Sequence, residues 1–180
     1  MPRRAQRNAK QDVLQMGDEN NMAFAQVKEY FNQLGLGDRV LAFDVSSATV
    51  ELAAQAVGCE PARIAKSLSF KVDGKAVLVV AAGDAKVDNG KYKAQFHTKA
   101  VMLTPDEAEQ MVGHSVGGVC PFCLREGVAV YLDASLRRFD VVYPACGSGN
   151  SAVRLTPDEL ERYAHSDGWV DVCKNWQPEE

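Results

Sequence analysis

A β-hairpin constrains the fold of this chain more than any other feature of its sequence. Residues 68–72 alternate apolar with polar side chains, as in a strand with one buried face. Asp73-Gly74 then supplies a two-residue turn, and the returning segment 75–82 is almost continuously apolar. A strand this apolar is buried on both faces. We therefore expect it at the centre of a sheet.

The rest of the chain alternates short helices with short strands. Apolar residues spaced by three and four from Met22 onward predict a helix that ends at Gly35. Thr-Pro-Asp-Glu occurs twice, at 104–107 and 156–159, and each copy is a helix-starting capping box with proline at the first helical position. A further helix is expected at 49–58 and a short helix or irregular segment at 88–96. Strands are expected at 40–43, 101–103, 128–132, 141–143, 152–155 and 170–172.

This order of elements predicts an α+β fold. Strands outnumber helices, and most connections are too short for the crossovers that join parallel strands. We expect a single domain over residues 22–176, with a mixed, largely antiparallel, barrel-like sheet and peripheral helices. Residues 1–21 are basic and carry no apolar period, so we expect an N-terminal extension that is solvated or disordered.

Composition excludes several functional classes. No apolar stretch is long enough to span a bilayer, and no apolar region follows the basic N-terminal residues as in a secretory signal. We therefore expect a cytoplasmic protein without a membrane partner. The net charge of −4 argues against a protein that coats nucleic acid, so no DNA partner is expected and any RNA contact is local. The five cysteines, an odd number, are expected to be free thiols.

The segment 113–124, Gly-His-Ser-Val-Gly-Gly-Val-Cys-Pro-Phe-Cys-Leu, is typical of a pocket wall. Gly117-Gly118 lets backbone N–H groups approach a ligand because no Cβ stands in the way. Pro121 then fixes the local path of the chain. An isolated Gly-Gly pair is also typical of a simple turn, so this pattern alone does not establish a site.

Three motifs in order resemble the YbaK/prolyl-tRNA editing domain family. They are Ile-Ala-Lys-Ser-Leu at 64–68, the glycine-rich segment 113–124, and Cys-Gly-Ser-Gly-Asn at 146–150. Members of that family are stand-alone or synthetase-appended deacylases of mischarged tRNA. The resemblance implies the barrel-like fold and a trans-editing deacylase that removes a small amino acid from the 3′ end of mischarged tRNA. It implies no cofactor and no metal, and it makes an aminoacyl-tRNA synthetase a candidate partner.

The resemblance also assigns catalytic candidates. Lys66 matches the signature lysine, with an implied electrostatic role at the tRNA 3′ end and the ester; a lysine whose stem covers apolar surface is the alternative. Gly117 and Gly118 match the substrate-loop glycines, whose N–H groups would stabilise a developing oxyanion. His114 is a candidate general base or substrate hydrogen-bond partner, because its ordinary pKa lies near neutrality. A purely structural histidine is an equal expectation.

Substrate and tRNA contacts complete the prediction. Asp84 is expected to orient Lys66 or a water, or merely to end its strand. The two glycine-rich segments contribute the expected pocket walls, namely Val119, Cys120, Pro121, Gly147, Ser148, Gly149 and Asn150, of which Ser148 and Asn150 either contact substrate or brace the turn. Four lysines are candidates for tRNA phosphate contacts or for a solvated basic face: Lys86, Lys91, Lys93 and Lys99.

Two other functions remain open from the sequence. Cys120-Pro-Phe-Cys123 imitates a glutaredoxin-type redox motif. Such a motif needs a strand before it and a helix that begins at the first cysteine, whereas here a glycine-rich loop precedes it and residues 124–127 continue no helix. Zinc would need two further ligands, for which Cys146 and His114 are the conceivable choices. The alternatives are therefore a thiol-disulfide protein that uses Cys120 and Cys123, and a non-catalytic tRNA- or ligand-binding module of the same fold.

Overall fold

A computed structural model describes residues 22–115 and 117–176. The predicted N-terminal extension, residues 1–21, lies outside the described residues. Within them, helix α1 spans 22–33. The later helices are α2 (Val50–Val57), α3 (Asn89–Phe96), α4 (Pro105–Met111) and α5 (Pro157–Tyr163). The strands are β1 (Val40–Ala42), β2 (Ile64–Val72), β3 (Lys75–Ala82), β4 (Lys86–Val87), β5 (Ala129–Asp133), β6 (Tyr143–Pro144), β7 (Ser151–Val153), β8 (Gly168–Val170) and β9 (Cys173–Lys174).

The predicted hairpin is confirmed as the centre of the fold. Strands β2 and β3 pair antiparallel along their whole length. Asp73 and Gly74 have positive φ angles of 51° and 76°, which matches the turn type that suits the twist of two paired strands. Every residue of β3 except Lys75 is buried. It lies between β2 and β5 in a five-stranded sheet of order β6-β2-β3-β5-β8.

The mixed sheet and the peripheral helices are confirmed, but the pairing is less antiparallel than the sequence suggested. In the five-stranded sheet, β2–β3 is antiparallel, whereas β2–β6, β3–β5 and β5–β8 are parallel. The reason is that parallel neighbours are far apart in the chain. Helices α3 and α4 lie between β3 and β5, and α5 lies between β5 and β8, so each connection is long enough for a crossover.

The predicted helix starts are also confirmed. Thr49 caps α2 by accepting from the N–H of Leu52, and both Thr104 and Thr156 complete reciprocal capping boxes. The strand expected at 101–103 is wrong. Met102 forms only an isolated bridge with Phe70, and its side chain is 56% exposed. Strands β4 and β9 were not predicted, because a two-residue strand shows no alternation to detect.

Aromatic packing holds Phe122, near the end of the glycine-rich segment 113–124, against α1. The rings of Phe31 on α1 and Phe122 meet edge to face with centroids 4.9 Å apart, and both side chains are buried. Burying two such rings fixes the path of residues 120–123. In the described part of the chain, no helix has the length and apolar character needed to cross a bilayer.

Candidate functional site

A cavity of about 340 Å³ opens between β2, the start of α2 and the glycine-rich loop. Its walls are mostly apolar and carry five hydroxyl side chains in addition to Tyr143. Besides Lys66, the lining residues are Ser47, Ala48, Thr49, Val50, Ala53, Ile64, Ala65, Ser67, Ser69, Met102, Leu103, Pro105, Ala108, Gly117, Val119, Tyr143, Ala145, Ser151 and Ala152. The positive end of α2 also points to this region, since Thr49 and Val50 begin that helix.

Lys66 lies within β2, two residues beyond its start. Its ammonium donates hydrogen bonds to the carbonyl oxygens of Gly83, at 3.3 Å, and of Ala85. Burial lowers the pKa of Lys66, and the nearby carboxylate of Asp84 partly opposes that shift. The two carbonyl acceptors stabilise the protonated form. Lys66 therefore lines the cavity while its Nζ is oriented by two backbone carbonyl oxygens outside the lining.

The two predicted loop glycines do different things. Gly117 lines the cavity with a φ of +90°, and a Cβ there would lie 3.1 Å from the Cβ of Ala48. Gly118 is buried behind the lining, where its N–H donates to the carbonyl of Ser115 at 3.0 Å. A Cβ on Gly118 would lie 2.8 Å from the backbone nitrogen of Ser148. Gly118 thus permits the two glycine-rich segments to touch, and Gly117 presents the bare backbone.

Hydrogen bonds within and around the second glycine-rich segment, residues 147–150, stabilise its contact with Gly118. Ser148 Oγ donates to Asn150 Oδ1 at 2.9 Å, and Asn150 Nδ2 donates to the carbonyl of Phe43 at 3.1 Å. The carbonyl of Gly149 accepts from the N–H of Ser47 at 2.7 Å. None of residues 147–150 lines the cavity, whereas Ser151 and Ala152, which follow them, do.

His114 lies outside the lining of this cavity. Its side chain is 2% exposed, and it lines a separate hollow beside α1 and Arg125. The Nε2–H donates to the carbonyl of Phe122 at 2.8 Å. This hydrogen bond joins the two ends of the glycine-rich loop. Burial lowers the pKa of His114, so the neutral form is favoured. Among the described residues, Nδ1 has no hydrogen-bond partner.

Asp84 is committed to another partner. Its carboxylate receives two hydrogen bonds from the guanidinium of Arg138, at 2.6 and 3.0 Å, and it does not line the cavity. The bidentate pair holds the turn after β3, whose carbonyl oxygens accept from Lys66. Asp84 therefore affects the site indirectly, by holding the turn whose carbonyl oxygens orient Lys66, and it does not line the cavity.

The four tRNA-contact candidates are not equivalent. Lys86, Lys93 and Lys99 are exposed. Lys91 instead donates to Asp171 at 3.1 Å and to the carbonyl of Cys173 at 3.0 Å.

The cysteine motif lacks the features of a redox site. Cys120 is fully buried, and that burial raises its pKa to about 12. Cys123 is exposed, but burial of part of its side chain raises its pKa too. No helix begins at Cys120; Pro121 is buried beside it, and Val119 lines the cavity. Across residues 22–115 and 117–176, no group of three or more His, Cys, Asp or Glu side chains could hold a metal ion.

Several lining residues were missed from the sequence. Ser67 follows Lys66 on β2, and its buried Oγ has no partner among the described residues. The signal was available, because Ser67 and Ser69 are the polar half of an alternating strand and point to one face. Tyr143, Ala145 and the 47–50 segment carry no motif, and only the folded chain brings them together.

Comparison with known proteins agrees with these motifs. The sequence profile of the aminoacyl-tRNA editing domain matches residues 45–163. The chain is 51% identical over 157 residues to the uncharacterized Bacillus subtilis protein YwhH, covering 87% of this chain and 100% of that protein. It is 31% identical over 115 residues to a proline–tRNA ligase of Geobacillus sp., covering 63% of this chain and only 20% of the ligase.

A solved structure extends the comparison to the fold. The crystal structure of a candidate trans-editing enzyme for prolyl tRNA synthetase superposes with a TM-score of 0.76 and 29% identity, covering 84% of this chain and 97% of that one. The profile match over residues 45–163, with these relatives, shows that the chain belongs to the aminoacyl-tRNA editing domain family.

Proposed function

We propose that this chain is a trans-acting deacylase that hydrolyses the ester between a small, wrongly attached amino acid and the 3′ end of tRNA. Its family and the likeness to a candidate trans-editing enzyme support an editing role. The observation that carries the proposal is that Lys66 and Gly117, from separate motifs, line one cavity. A cation and a bare backbone segment are then available to one bound ester.

The chemistry needs few side chains. A water oxygen attacks the ester carbonyl carbon, whose oxygen becomes negative, and the bond from that carbon to the ribose oxygen then breaks. The ribose oxygen takes up a proton, so the products are a free amino acid and a tRNA with its terminal hydroxyl restored. Lys66 supplies positive charge beside the ester, and the backbone N–H of Gly117 stabilises the developing oxyanion.

The cavity offers no conventional general base. Its described lining contains neither histidine nor carboxylate, and the Nζ of Lys66 already donates to two carbonyl oxygens. The proton of the attacking water therefore passes to solvent or to a hydroxyl of the substrate. An aminoacyl ester is already activated, so charge stabilisation and positioning are enough.

Small side chains around the cavity favour a small amino acid. Ala53, Ala65 and Ala108 all line it, as do hydroxyl groups such as that of Ser69. An apolar pocket separates close isosteres poorly, which is why a separate editing activity is useful to a synthetase. The tRNA acceptor end is the proposed partner, with Lys86, Lys93 and Lys99 as phosphate contacts and an aminoacyl-tRNA synthetase as a second candidate partner.

A panel of mischarged tRNAs tests the proposal. The purified chain is incubated with tRNAs that carry alanine, serine, cysteine or threonine, and release of the amino acid is followed against buffer. We expect at least one to be hydrolysed, and Lys66→Ala to lose most of that activity. Lys75→Ala, an exposed lysine at the far end of β3, is the matched control.

Two outcomes overturn the proposal. If no tRNA loses its amino acid faster than in buffer while tRNA is still bound, the chain is a binding module. If Lys66→Ala hydrolyses at the wild-type rate, the cavity is not the catalytic site.

A further inference from the structure

Two lysines face each other across the short β4–β9 ladder. Strands β4 and β9 pair antiparallel, with Lys86 opposite Lys174 and Val87 opposite Cys173. Cys173 is fully buried and both lysines are exposed, so the ladder presents its two ammonium groups on one outer face. Directly opposed side chains in such a pair have Cβ atoms about 5 Å apart.

The carboxylates near this pair are engaged elsewhere. Asp84 binds Arg138, and Asp171 binds Lys91. Asp88 caps α3 by accepting from the backbone N–H of Lys91 and forms no ion pair with Lys174, although the charge of Lys174 helps to lower the pKa of its carboxyl group. In the described parts of the chain, neither Lys86 nor Lys174 forms an ion pair. Like charges directly opposite each other destabilise a ladder, so an anion between them would remove a cost that the protein carries without it.

The pair lies next to the cavity. The ammonium of Lys66 donates to the carbonyl of Ala85, the residue before Lys86. Lys66 and Lys86 are close enough for their charges to repel. The lysine pair therefore lies beside the turn that orients Lys66 at the cavity.

We infer that Lys86 and Lys174 together bind phosphate groups of the RNA strand whose 3′ end enters the cavity. This inference rests on the proposed function, since it takes the cavity as the place of the terminal ester. It adds Lys174, which no motif marked. It excludes Lys91 from the phosphate site, because Asp171 and the carbonyl of Cys173 already hold its ammonium.

The salt dependence of tRNA binding measures this directly. Affinity for uncharged tRNA is measured by fluorescence anisotropy at several salt concentrations for the full chain and for Lys86→Ala, Lys174→Ala and the double variant. Each phosphate contact contributes about 0.7 to the slope of log affinity against log salt for a single strand. We expect each single variant to lose about that much of the slope and the double variant about twice as much.

Three further variants separate charge from structure. Lys75→Ala changes the net charge equally at the far end of β3 and is expected to keep the wild-type slope. The double variant Lys86→Arg/Lys174→Arg keeps both charges and is expected to keep the slope. Lys91→Ala is also expected to keep it. Thermal denaturation confirms that every variant is folded.

The outcomes distinguish this inference from the proposed function. If the double alanine variant binds tRNA with the wild-type slope while the wild type hydrolyses mischarged tRNA, the phosphate site is wrong and the deacylase stands. If the slope falls as expected but no mischarged tRNA is hydrolysed, the phosphate site stands and the deacylase fails. A slope that falls equally in Lys75→Ala also overturns the site, because the effect is then one of net charge.

Discussion

The ammonium of Lys66 and the carbonyl oxygen of Ala85 form a hydrogen bond that joins the interior of β2 to the turn after β3. The same ammonium reaches the carbonyl of Gly83 at 3.3 Å. These acceptors replace part of the water that burial removes, and so keep a cation at the cavity wall. The central hairpin thus fixes both the lysine and the groups that orient it.

Replacing Lys66 by methionine separates its charge from its apolar stem. Lys66→Met leaves the two carbonyl oxygens without their donor, so we expect a loss of stability of about 1 kcal/mol. Deacylation should fall about 10²-fold, as when one oxyanion donor is removed elsewhere. Urea denaturation and the rate of amino acid release measure the two effects. Lys75→Met is the control, and wild-type hydrolysis by Lys66→Met would contradict the assigned role.

Two glycines at the site should respond differently to the same substitution. A Cβ on Gly118 would lie 2.8 Å from the backbone nitrogen of Ser148, which cannot move freely, so we expect Gly118→Ala to destabilise the fold by about 1–3 kcal/mol. A Cβ on Gly149 would lie 3.6 Å from the Cβ of Ala48 and 4.0 Å from the carbonyl oxygen of Gly117, both ordinary contacts. Gly149→Ala should therefore change the melting temperature little. Equal melting temperatures for the two variants would show that the segments do not touch as described.

Local patterns predicted much of this fold, and long-range pairing did not follow from them. The Asp73-Gly74 turn and the threonine caps depend on neighbouring residues, so sequence predicts them well. Parallel pairing between β3 and β5 depends on which strands meet after the chain has passed through α3 and α4. The spacing of apolar residues within one segment does not predict which strand that segment will pair with. The acceptors of Lys66 are backbone carbonyl oxygens, which every residue has, so no residue type in the sequence indicates them. The motifs therefore predicted a lysine near a glycine loop, but not what orients the lysine.

The buried hydroxyl of Ser67 is a stability cost that a single substitution removes. Its Oγ has no partner among the described residues, so Ser67→Ala should raise the free energy of unfolding by about 1 kcal/mol. Ser135 is the matched control, because its buried Oγ accepts from the N–H of Ala82 at 3.1 Å. Ser135→Ala should destabilise by about 1–3 kcal/mol. Chemical denaturation compares them, and a destabilised Ser67→Ala would show that the hydroxyl has a partner.

Thiol labelling tests the redox alternative. Burial raises the pKa of Cys120 to about 12, whereas Cys123 is exposed. At pH 7 we expect iodoacetamide to modify Cys123 and to leave Cys120 unmodified until the chain is unfolded in urea. Mass spectrometry of the labelled peptides reads both sites. In a redox motif the first cysteine is the reactive thiolate. Rapid labelling of Cys120 in the folded protein would therefore support a thiol-disulfide function.

His114 should make the fold sensitive to mildly acidic pH. Burial lowers the pKa of His114 from its ordinary value of 6.5, so the unfolded chain takes up a proton at a pH where the folded chain does not. The free energy of unfolding should therefore decrease as pH falls below about 6.5, by at most about 1.4 kcal/mol per pH unit, until the folded pKa is reached. Urea denaturation at pH 7 and pH 5 measures the decrease. Carboxylates with lowered pKa, such as Asp88 and Glu107, have ordinary values of 3.8 and 4.5 and so titrate below this window.

Replacing the histidine identifies the source of this pH dependence. In His114→Gln the amide retains a donor for the carbonyl of Phe122 but cannot titrate, so the difference in stability between pH 7 and pH 5 should largely disappear. His97 is exposed and has a left-handed backbone conformation, which asparagine tolerates. His97→Asn is therefore the control and should keep the wild-type difference. If His114→Gln retains the full loss of stability at pH 5, another group carries the proton linkage and His114 is not held neutral by its burial.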